Sequence, residues 1–592
     1  MSPEAEPNPN STSPTTYSAN SVSATSISIA RASTSGPPQE PEPEPKPKSK
    51  SEPEQKHLIN LLRGWPAPSL LPTALLRAAA DHVLADPAVA VPALQYAPDP
   101  GYQPLRESLA AWLGRCYGKG VGGGGGGGGG ADGGRDGCLR RGDFGTDMEG
   151  AGRRPWMGAE IKVTAEEIAI TGGASQGLAC VLQSFTDPGY TRAVWAVAPC
   201  YFLACPIFED AGFAGRLRAV PEVESVRGGG GGVDLEKLEE GMRTVDEGAE
   251  KEEKEEREKE VKGRKLYKDP GPHRKLYRHV IYLVATSANP SGKTMSLSHR
   301  EALVRLARKY DALIISDDVY DFLQWPVTSS SSSSSSSPAS SSSLPQDHGP
   351  SDPILLPTLS QIDLLLPHDN ETPKTATTTK NKKNFGNAIS NASFSKLAGP
   401  GTRTGWIHGA PDFVHGFSQT GSNRSGGAAS QLVAAAAHRL VVSGELERWL
   451  GRVVRPGLRR RHGLMLRAVR EELAGVGAGV EGGEGSGVFG GYFVWLRLPD
   501  GMDADEVAAR ARAEEELIVA PGRLFEVKGD EGSARFPGHL RLCFSWEEEE
   551  NLVEGVRRLG RLLRRMLDGV GGKGEGREGE ATQLEQELQM AC

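Results

Sequence analysis

Four short apolar runs constrain this chain more than any other feature: EIAIT (167–171), AVWAVA (193–198), VIYLVA (280–285) and ALIIS (312–316). Each is rich in β-favouring residues and ends at a loop, so each reads as a strand. SHREALVRLARKY (298–310) is an amphipathic helix joining the last two, and LLPTALLRAAADHVL (70–84) and YQPLRESLAAWL (102–113) also carry helical periodicity. Strand–helix–strand repetition predicts an α/β fold, a mostly parallel sheet with helices on both faces. Such sheets place their chemistry in the loops beyond the carboxyl ends of the strands.

Much of the remaining chain is unsuited to a core. Gly and Pro number 75 and 41 of 592 residues, about a fifth against ~12% in average usage, and the hydrophobic share is 37%. The polar bulk falls in blocks. Residues 1–56 are rich in Ser, Thr, Pro and Glu and are expected to form a disordered tail. Three low-complexity insertions are expected at about 118–157, with consecutive glycines from Gly122 to Gly130, at 227–276, with the block EKEEKEEREKE, and at 327–387, with a serine run from Ser329 to Ser337. A docking helix is the alternative for the charged block, although charge runs are more often solvated faces. The end from 569 is again polar.

Composition also excludes several function classes. The net charge is −8 and no segment concentrates positive charge, so a nucleic-acid footprint is not expected. No stretch approaches eighteen uninterrupted apolar residues, so no spanning helix and no membrane partner is expected. The cysteines, Cys116, Cys138, Cys180, Cys200, Cys205, Cys543 and Cys592, are odd in number and lack C-x-x-C spacing. Neither a disulfide framework nor a metal site is indicated, and a reducing compartment fits best. The first thirty residues contain Glu4 and Glu6, no basic residue before Arg31 and no apolar core, which leaves a cytoplasmic location as the expectation.

The loops after the strands carry the chemistry. After EIAIT come Gly172, Gly173, Ala174 and Ser175 and then a helix, an arrangement that can cradle an anion on backbone N–H groups or serve only as a turn. After AVWAVA, Tyr201 is suited to stacking on a flat ring or to filling an amphipathic core position. After VIYLVA, Asn289 in T-S-A-N-P-S-G can build the turn or donate its amide to a ligand oxygen. After ALIIS stand Asp317, Asp318 and Tyr320; a carboxylate following four apolar strand residues is costly to bury without a cationic partner, which favours a functional Asp317. The segment 393–406, SFSKLAGPGTRTGW, is the densest polar cluster, with Ser393, Ser395, Lys396 and Arg403 among turn residues.

Taken together, N-P-S-G, D-x-x-Y and S-x-S-K-x-x-x-P-G-x-R-x-G, in that order, resemble the class I and II aminotransferases, fold type I enzymes dependent on pyridoxal 5′-phosphate (PLP). The look is closest to the 2-aminoadipate and kynurenine-type branch and its fungal homologues. The resemblance spans about 57–568 outside the insertions. It implies a large domain over 57–440, with an N-terminal arm and a mostly parallel seven-stranded sheet, and a small α+β domain over 441–568. GGYFVWLRLP (490–499) would be the first strand of that domain, and 569–592 a tail. It further implies that Lys396 carries the cofactor, that Asp317 pairs with the pyridine nitrogen, that Tyr320 and Asn289 hold the ring oxygen, and that Tyr201 stacks on the ring. Ala174, Ser175, Ser393 and Arg403 would form the phosphate cup, with Tyr96 reaching the phosphate of the partner subunit in a homodimer. Arg541 would bind the substrate α-carboxylate, and Gly64 lies in the segment that closes over substrate. Lys396, Asp317 and Tyr201 would be the catalytic set.

The expected reaction moves an amino group from an L-amino acid to a 2-oxo acid, with a PLP-dependent lyase on the same fold as the alternative. A PLP-binding transcriptional regulator would need a DNA-binding module, and the acidic, Pro-rich residues 1–56 do not supply one. Tyr96, Tyr102 and Trp65, near the expected site entrance, favour aromatic or large apolar donors. 2-Aminoadipate stays open because Arg63 or Arg424 could meet a second carboxylate. The structure tests each of these placements.

Overall fold

The computed structural model describes residues 57–118, 161–224, 231–258, 267–327, 355–367, 383–482 and 488–569. The expected tail 1–56, nearly all of 118–157 and nearly all of the tail from 569 lie outside these residues. Strand β1 (Ile59–Asn60) opens the described chain. A large sheet follows from β2 (Ile168–Thr171), β3 (Ala193–Ala198), β4 (Leu217–Glu224), β5 (Gly231–Val233), β6 (His279–Leu283), β7 (Ala312–Asp317), β9 (Ala388–Ser393) and β10 (Gly405–His408). Its order is β2-β10-β9-β7-β6-β3-β4-β5. The inner strands β9, β7, β6, β3 and β4 run parallel, whereas β10 is antiparallel to both of its neighbours. β5 adds a short antiparallel edge, so the sheet has one strand more than the seven expected.

The four apolar runs are buried on both faces because helices cover both sides, with Val280, Ile281, Leu313, Ile314 and Ile315 fully inside. Register brings the carboxyl ends of the central strands level: Leu283 lies opposite Ser316 and Asp317 opposite Asn391. Asp317 is therefore the last residue of its strand, and Lys396 follows β9 by one short turn.

Two expected insertions contain core structure. Within 227–276, β5 is followed by a helix, Leu235–Glu258, whose first half turns Leu238 and Met242 into the core against Trp195. The run EKEEKEERE continues that helix, so the charge run is the outer end of a structural helix and not the expected insertion. Its apolar face, Leu235, Leu238, Met242 and Val245, has i, i+3, i+7, i+10 spacing that the neighbouring charges conceal. Within 327–387, the helix Leu359–Leu365 starts with a capping box from Thr358 and Gln361 and buries Leu359 and Ile362.

A four-stranded sheet, order β11-β13-β16-β15, comprises β11 (Gly479–Val480), β13 (Phe493–Arg497), β15 (Ala520–Pro521) and β16 (His539–Cys543). β11 precedes the strand expected to be first. Gly490, placed in that strand by the sequence, instead ends β12 (Val488–Gly490), which pairs with β8 (Gln324–Pro326) from the large-sheet region. The segment 57–66, expected with the large domain, pairs elsewhere: β1 runs parallel to β14 (Leu517–Ile518), and the N–H of Cys543 donates to Leu61 O at 2.7 Å. Residues 59–65 thus lie along the end of β16, facing the carboxyl ends of the large sheet. Among the described residues, no helix is long and apolar enough to cross a membrane.

Candidate active site

Asp317 and Lys396 define the centre. The Lys396 ammonium donates to Gly64 O at 2.8 Å and sits 4.9 Å from the centroid of the Tyr492 ring. Burial lowers its pKa from 10.5 to about 8; the charge of Arg541 acts the same way, while Cys543 and Asp317 oppose it. Burial likewise raises the pKa of Asp317 from 3.8 to about 6, against the opposing hydrogen bond from Tyr282 and the charge of Lys396. At neutral pH the carboxylate stays largely ionised, and the amine is neutral in roughly a tenth of molecules, against well under roughly a thousandth at its ordinary pKa.

The two oxygens of Asp317 differ. Oδ2 accepts from the Tyr282 hydroxyl at 3.0 Å, whereas Oδ1 is buried with no hydrogen-bond partner among the described residues. A dry, unpartnered carboxylate oxygen costs on the order of 1–3 kcal/mol, a cost that a cationic N–H donor reaching it would remove. A protonated pyridine nitrogen is such a donor, so Asp317 fits the cofactor that the motifs imply.

Around this pair, Arg541 projects from β16 and is 3% exposed. Its fork donates to Asn289 Oδ1 at 2.9 Å and to Leu62 O at 2.7 Å, and its guanidinium carbon lies 4.0 Å from the Phe493 ring centroid. Tyr320 is buried, in edge contact with Tyr492 at 5.6 Å and Phe493 at 6.3 Å, and burial raises its hydroxyl pKa well above the usual value. Asp317 and Tyr201 contribute smaller charge effects on that hydroxyl, which keeps both within its electrostatic neighbourhood.

At the far edge, the turn after β2 holds Gly173 at φ +102°, a conformation open to glycine, and a Cβ there would stand 2.7 Å from Arg403 Nη2. Arg403 donates to Gly172 O at 2.8 Å and to Pro400 O at 3.1 Å. The helix Ala174–Phe185 therefore starts beside a guanidinium whose partners here are carbonyls, an arrangement suited to an anion. Ser393 is buried and exchanges hydroxyl contacts with Ser395, while Ala174 is half-buried and Ser175 exposed. The Asn391 amide clamps Ala174 O at 2.9 Å, tying β9 to that helix start.

Lys396, Asp317, Asn289, Tyr320, Arg541 and Gly64 thus converge, with Ser393 and Arg403 on the strand and turn beside them. Tyr96 does not join them in its own chain. It is 83% exposed and lies across Gly426, whose Cβ would stand 2.7 Å from its ring. Tyr102 packs against His438, and Arg424 lies 3.8 Å from Asp99 on the surface. Asp318 points elsewhere, accepting from the Ser316 hydroxyl at 2.5 Å.

Sequence reasoning missed Tyr282 and Tyr492. Tyr282 lies opposite Ile315, two residues before Asp317 and on the same face of the sheet. A lone tyrosine in an aliphatic strand was the available signal. Tyr492 stands in G-G-Y-F, which reads simply as strand. Among the described residues, no group of three or more His, Cys, Asp or Glu could hold a metal ion.

Comparison with known proteins adds the lineage. A family model described as aminotransferase class I and II matches residues 154–336. An uncharacterized protein of Saccharomyces cerevisiae is 32% identical over 419 residues, 69% of this chain and 81% of that protein. Aromatic-amino-acid aminotransferase 1 of Thermococcus litoralis is 23% identical over 513 residues, 86% of this chain and 89% of that one. The crystal structure of the alpha-aminoadipate aminotransferase of Thermus thermophilus, complexed with N-(5′-phosphopyridoxyl)-L-leucine, is similar with a TM-score of 0.55 at 23% identity, covering 87% of this chain and 94% of that chain. At that identity the likeness carries the fold.

Proposed function

The chain belongs to the class I and II aminotransferase family, PLP-dependent transaminases, and from that premise we propose that it moves the amino group of an aromatic, large apolar or 2-aminoadipate-like L-amino acid to a 2-oxo acid. The observation that carries this reading is a half-buried Lys396, its pKa lowered to about 8, within the electrostatic reach of a buried Asp317 that keeps one oxygen unpartnered.

When bound, PLP supplies an electron sink that lets the bond between an amino acid's Cα and its hydrogen break. Asp317 Oδ1 would keep a proton on the ring nitrogen, while the Tyr282 hydroxyl holds the other oxygen at 3.0 Å. Tyr320 and Asn289 would hold the ring oxygen, and Tyr201 would stack on the ring. Arg403, Ser393 and the backbone at Ala174 and Ser175 would hold the phosphate. Arg541 offers its fork to the α-carboxylate in place of its present carbonyl partners. Lys396 would hold the cofactor through its amine, and its neutral Nζ would be the group placed to take up the proton at the substrate Cα. Burial suits Nζ to that work, since a lysine at its ordinary pKa would be protonated at neutral pH.

Donor choice is supported by the edge-to-face pair of Trp65 and Trp546, with centroids 5.4 Å apart beside Gly64, and by the names of the similar enzymes. We further propose that the enzyme works as a homodimer. Leu84, Val91, Leu94, Tyr96 and Val442 are large apolar or aromatic residues left exposed on adjoining helices and the loop that follows, a surface fitted to a second copy of the chain. Tyr96 would then serve the partner's phosphate.

The test is a single-turnover reaction of cofactor-loaded protein with L-phenylalanine, L-tyrosine, L-leucine and L-2-aminoadipate in turn. A pyridoxamine spectrum that 2-oxoglutarate reverses is expected. Pyruvate and ammonia from a cysteine conjugate, without that spectrum, would mark a lyase. Borohydride reduction should fix the cofactor on Lys396 in peptide maps.

A further inference from the structure

We propose that Arg63 binds the second carboxylate of a dicarboxylic 2-oxo acid or amino acid, and so selects which acceptors the site takes. The proposal rests on the aminotransferase reading above. Arg63 lies between two residues whose carbonyls are inside the site: Leu62 O accepts from Arg541, at 2.7 Å, and Gly64 O from Lys396, at 2.8 Å. The backbone of Arg63 therefore runs between the contacts of the two cations that bracket the substrate, and the side chain that carries its guanidinium starts there.

That guanidinium is held and left without a countercharge. Its carbon lies 4.6 Å from the ring centroid of Trp65 and 5.2 Å from that of Trp546, and the two rings meet nearly at right angles, 81°. The backbone beneath is fixed, since Asn60 Oδ1 accepts from the N–H groups of both Leu62 and Arg63 at 3.0 Å. Arg63 Nε is buried with no hydrogen-bond partner among the described residues, and no carboxylate among them pairs with this arginine. Arginines on the helices Arg455–Glu472 and Glu549–Leu567 show what an ordinary structural arginine does: Arg460 pairs with Glu549, Arg558 with Glu554 and Arg565 with Glu515.

A half-buried cation stacked on two indoles gains from their π faces while the edge of its fork stays open. Open guanidinium edges match a carboxylate bidentately. Arg541 is committed to the α-carboxylate common to every substrate, and Arg424 sits near Asp99 on the surface, so Arg63 is the arginine placed for a second acid group. The tryptophans on either side would accept an aromatic donor at the same mouth, so one site would serve an aromatic amino acid in one half-reaction and a dicarboxylic acceptor in the other.

The experiment compares wild type with Arg63→Met and Arg63→Lys, all loaded with cofactor. Steady-state kinetics with 2-oxoglutarate and with a monocarboxylic acceptor, 2-oxohexanoate, give the split. In Arg63→Met the KM ratio of 2-oxoglutarate to 2-oxohexanoate should rise roughly tenfold or more, with a smaller change in kcat, and Arg63→Lys should recover part of it. Binding of glutarate, which has neither amino nor keto group, is followed separately by tryptophan fluorescence against a butyrate control. Glutarate should bind wild type and lose roughly tenfold or more in affinity in Arg63→Met. Equal loss for both acceptors, or unchanged glutarate affinity, overturns the proposal. Absence of turnover in the wild type with any donor and acceptor would count against the aminotransferase reading, and the glutarate comparison would still decide the role of Arg63.

Discussion

Lys396 and Asp317 set a pH window for the apoprotein that can be worked out from their shifts. Lys396 titrates near 8 when folded and near 10.5 when unfolded, so between those values the unfolded chain holds a proton that the folded one has lost. Stability from this group therefore rises with pH across that window. Asp317 has the opposite sense: its folded value near 6 exceeds 3.8, the folded state holds the extra proton, and stability falls as pH climbs between the two. Each buried charge costs on the order of 3 kcal/mol at neutral pH. Chemical denaturation of apoprotein should show the alkaline rise vanish in Lys396→Met; a rise that persisted would locate the perturbed lysine elsewhere. The same amine predicts that cofactor loading quickens as pH rises through about 8 and levels off a unit or so above it, below the ordinary lysine range. Exchanging Asp317→Asn keeps the shape and removes the anion, and kcat should drop on the order of 10³-fold in a folded protein that still retains cofactor. Near-normal turnover would transfer the role to another group.

At the scale of elements, the site is made by strand ends that register brings level and by one segment that crosses over from the small sheet. The strand ends were legible in the sequence because an apolar run followed at once by Asp317, or by the Asn289 turn, states both the element and its functional end. The crossing segment was not legible, since nothing in LLRGWP reveals that β1 pairs with Leu517–Ile518. Nor was the helix Leu235–Glu258, because four apolar residues must be counted through a run of charges. Tyr282 and Tyr492 act through contacts between elements, and such contacts leave little mark on a single run. The glycine-rich stretch 119–160 gives the prediction at this scale. Its two flanks lie about one helical turn apart, because a Cβ on Gly114, in the last turn of the helix that ends at Gly118, would stand 3.4 Å from Ile161 O. A link of about six residues should span them, and shortening the loop should stabilise the protein by about 1–2 kcal/mol if closure entropy is the only change. Thermal melts and turnover of the shortened protein check this, and loss of cofactor affinity would show that the stretch belongs to the site.

For the whole molecule, two copies should complement each other. Tyr96→Phe and Lys396→Ala homodimers each lack one component at both sites, whereas a mixed dimer has one site with both. Mixing them after mild dissociation should restore activity towards the quarter of wild type expected for random reassortment, and sedimentation should show Leu94→Glu shifting towards monomer with lower activity. A monomer with full activity would remove Tyr96 from the machinery. The pairing of β1 with β14, and the reach of residues 62 and 64 to Arg541 and Lys396, also bears on how the protein is made. A ribosome delivers residues 59–64 long before residues 517–545, to which they must attach. All strands of the large sheet precede residue 517 in the chain, so the pocket lacks its Arg541 wall until residues 517–545 have followed. A chain truncated before residue 517 would keep the residues assigned to the cofactor yet lack Arg541 and the strand to which residues 59–60 attach, so the loss would fall on the grip of the substrate carboxylate.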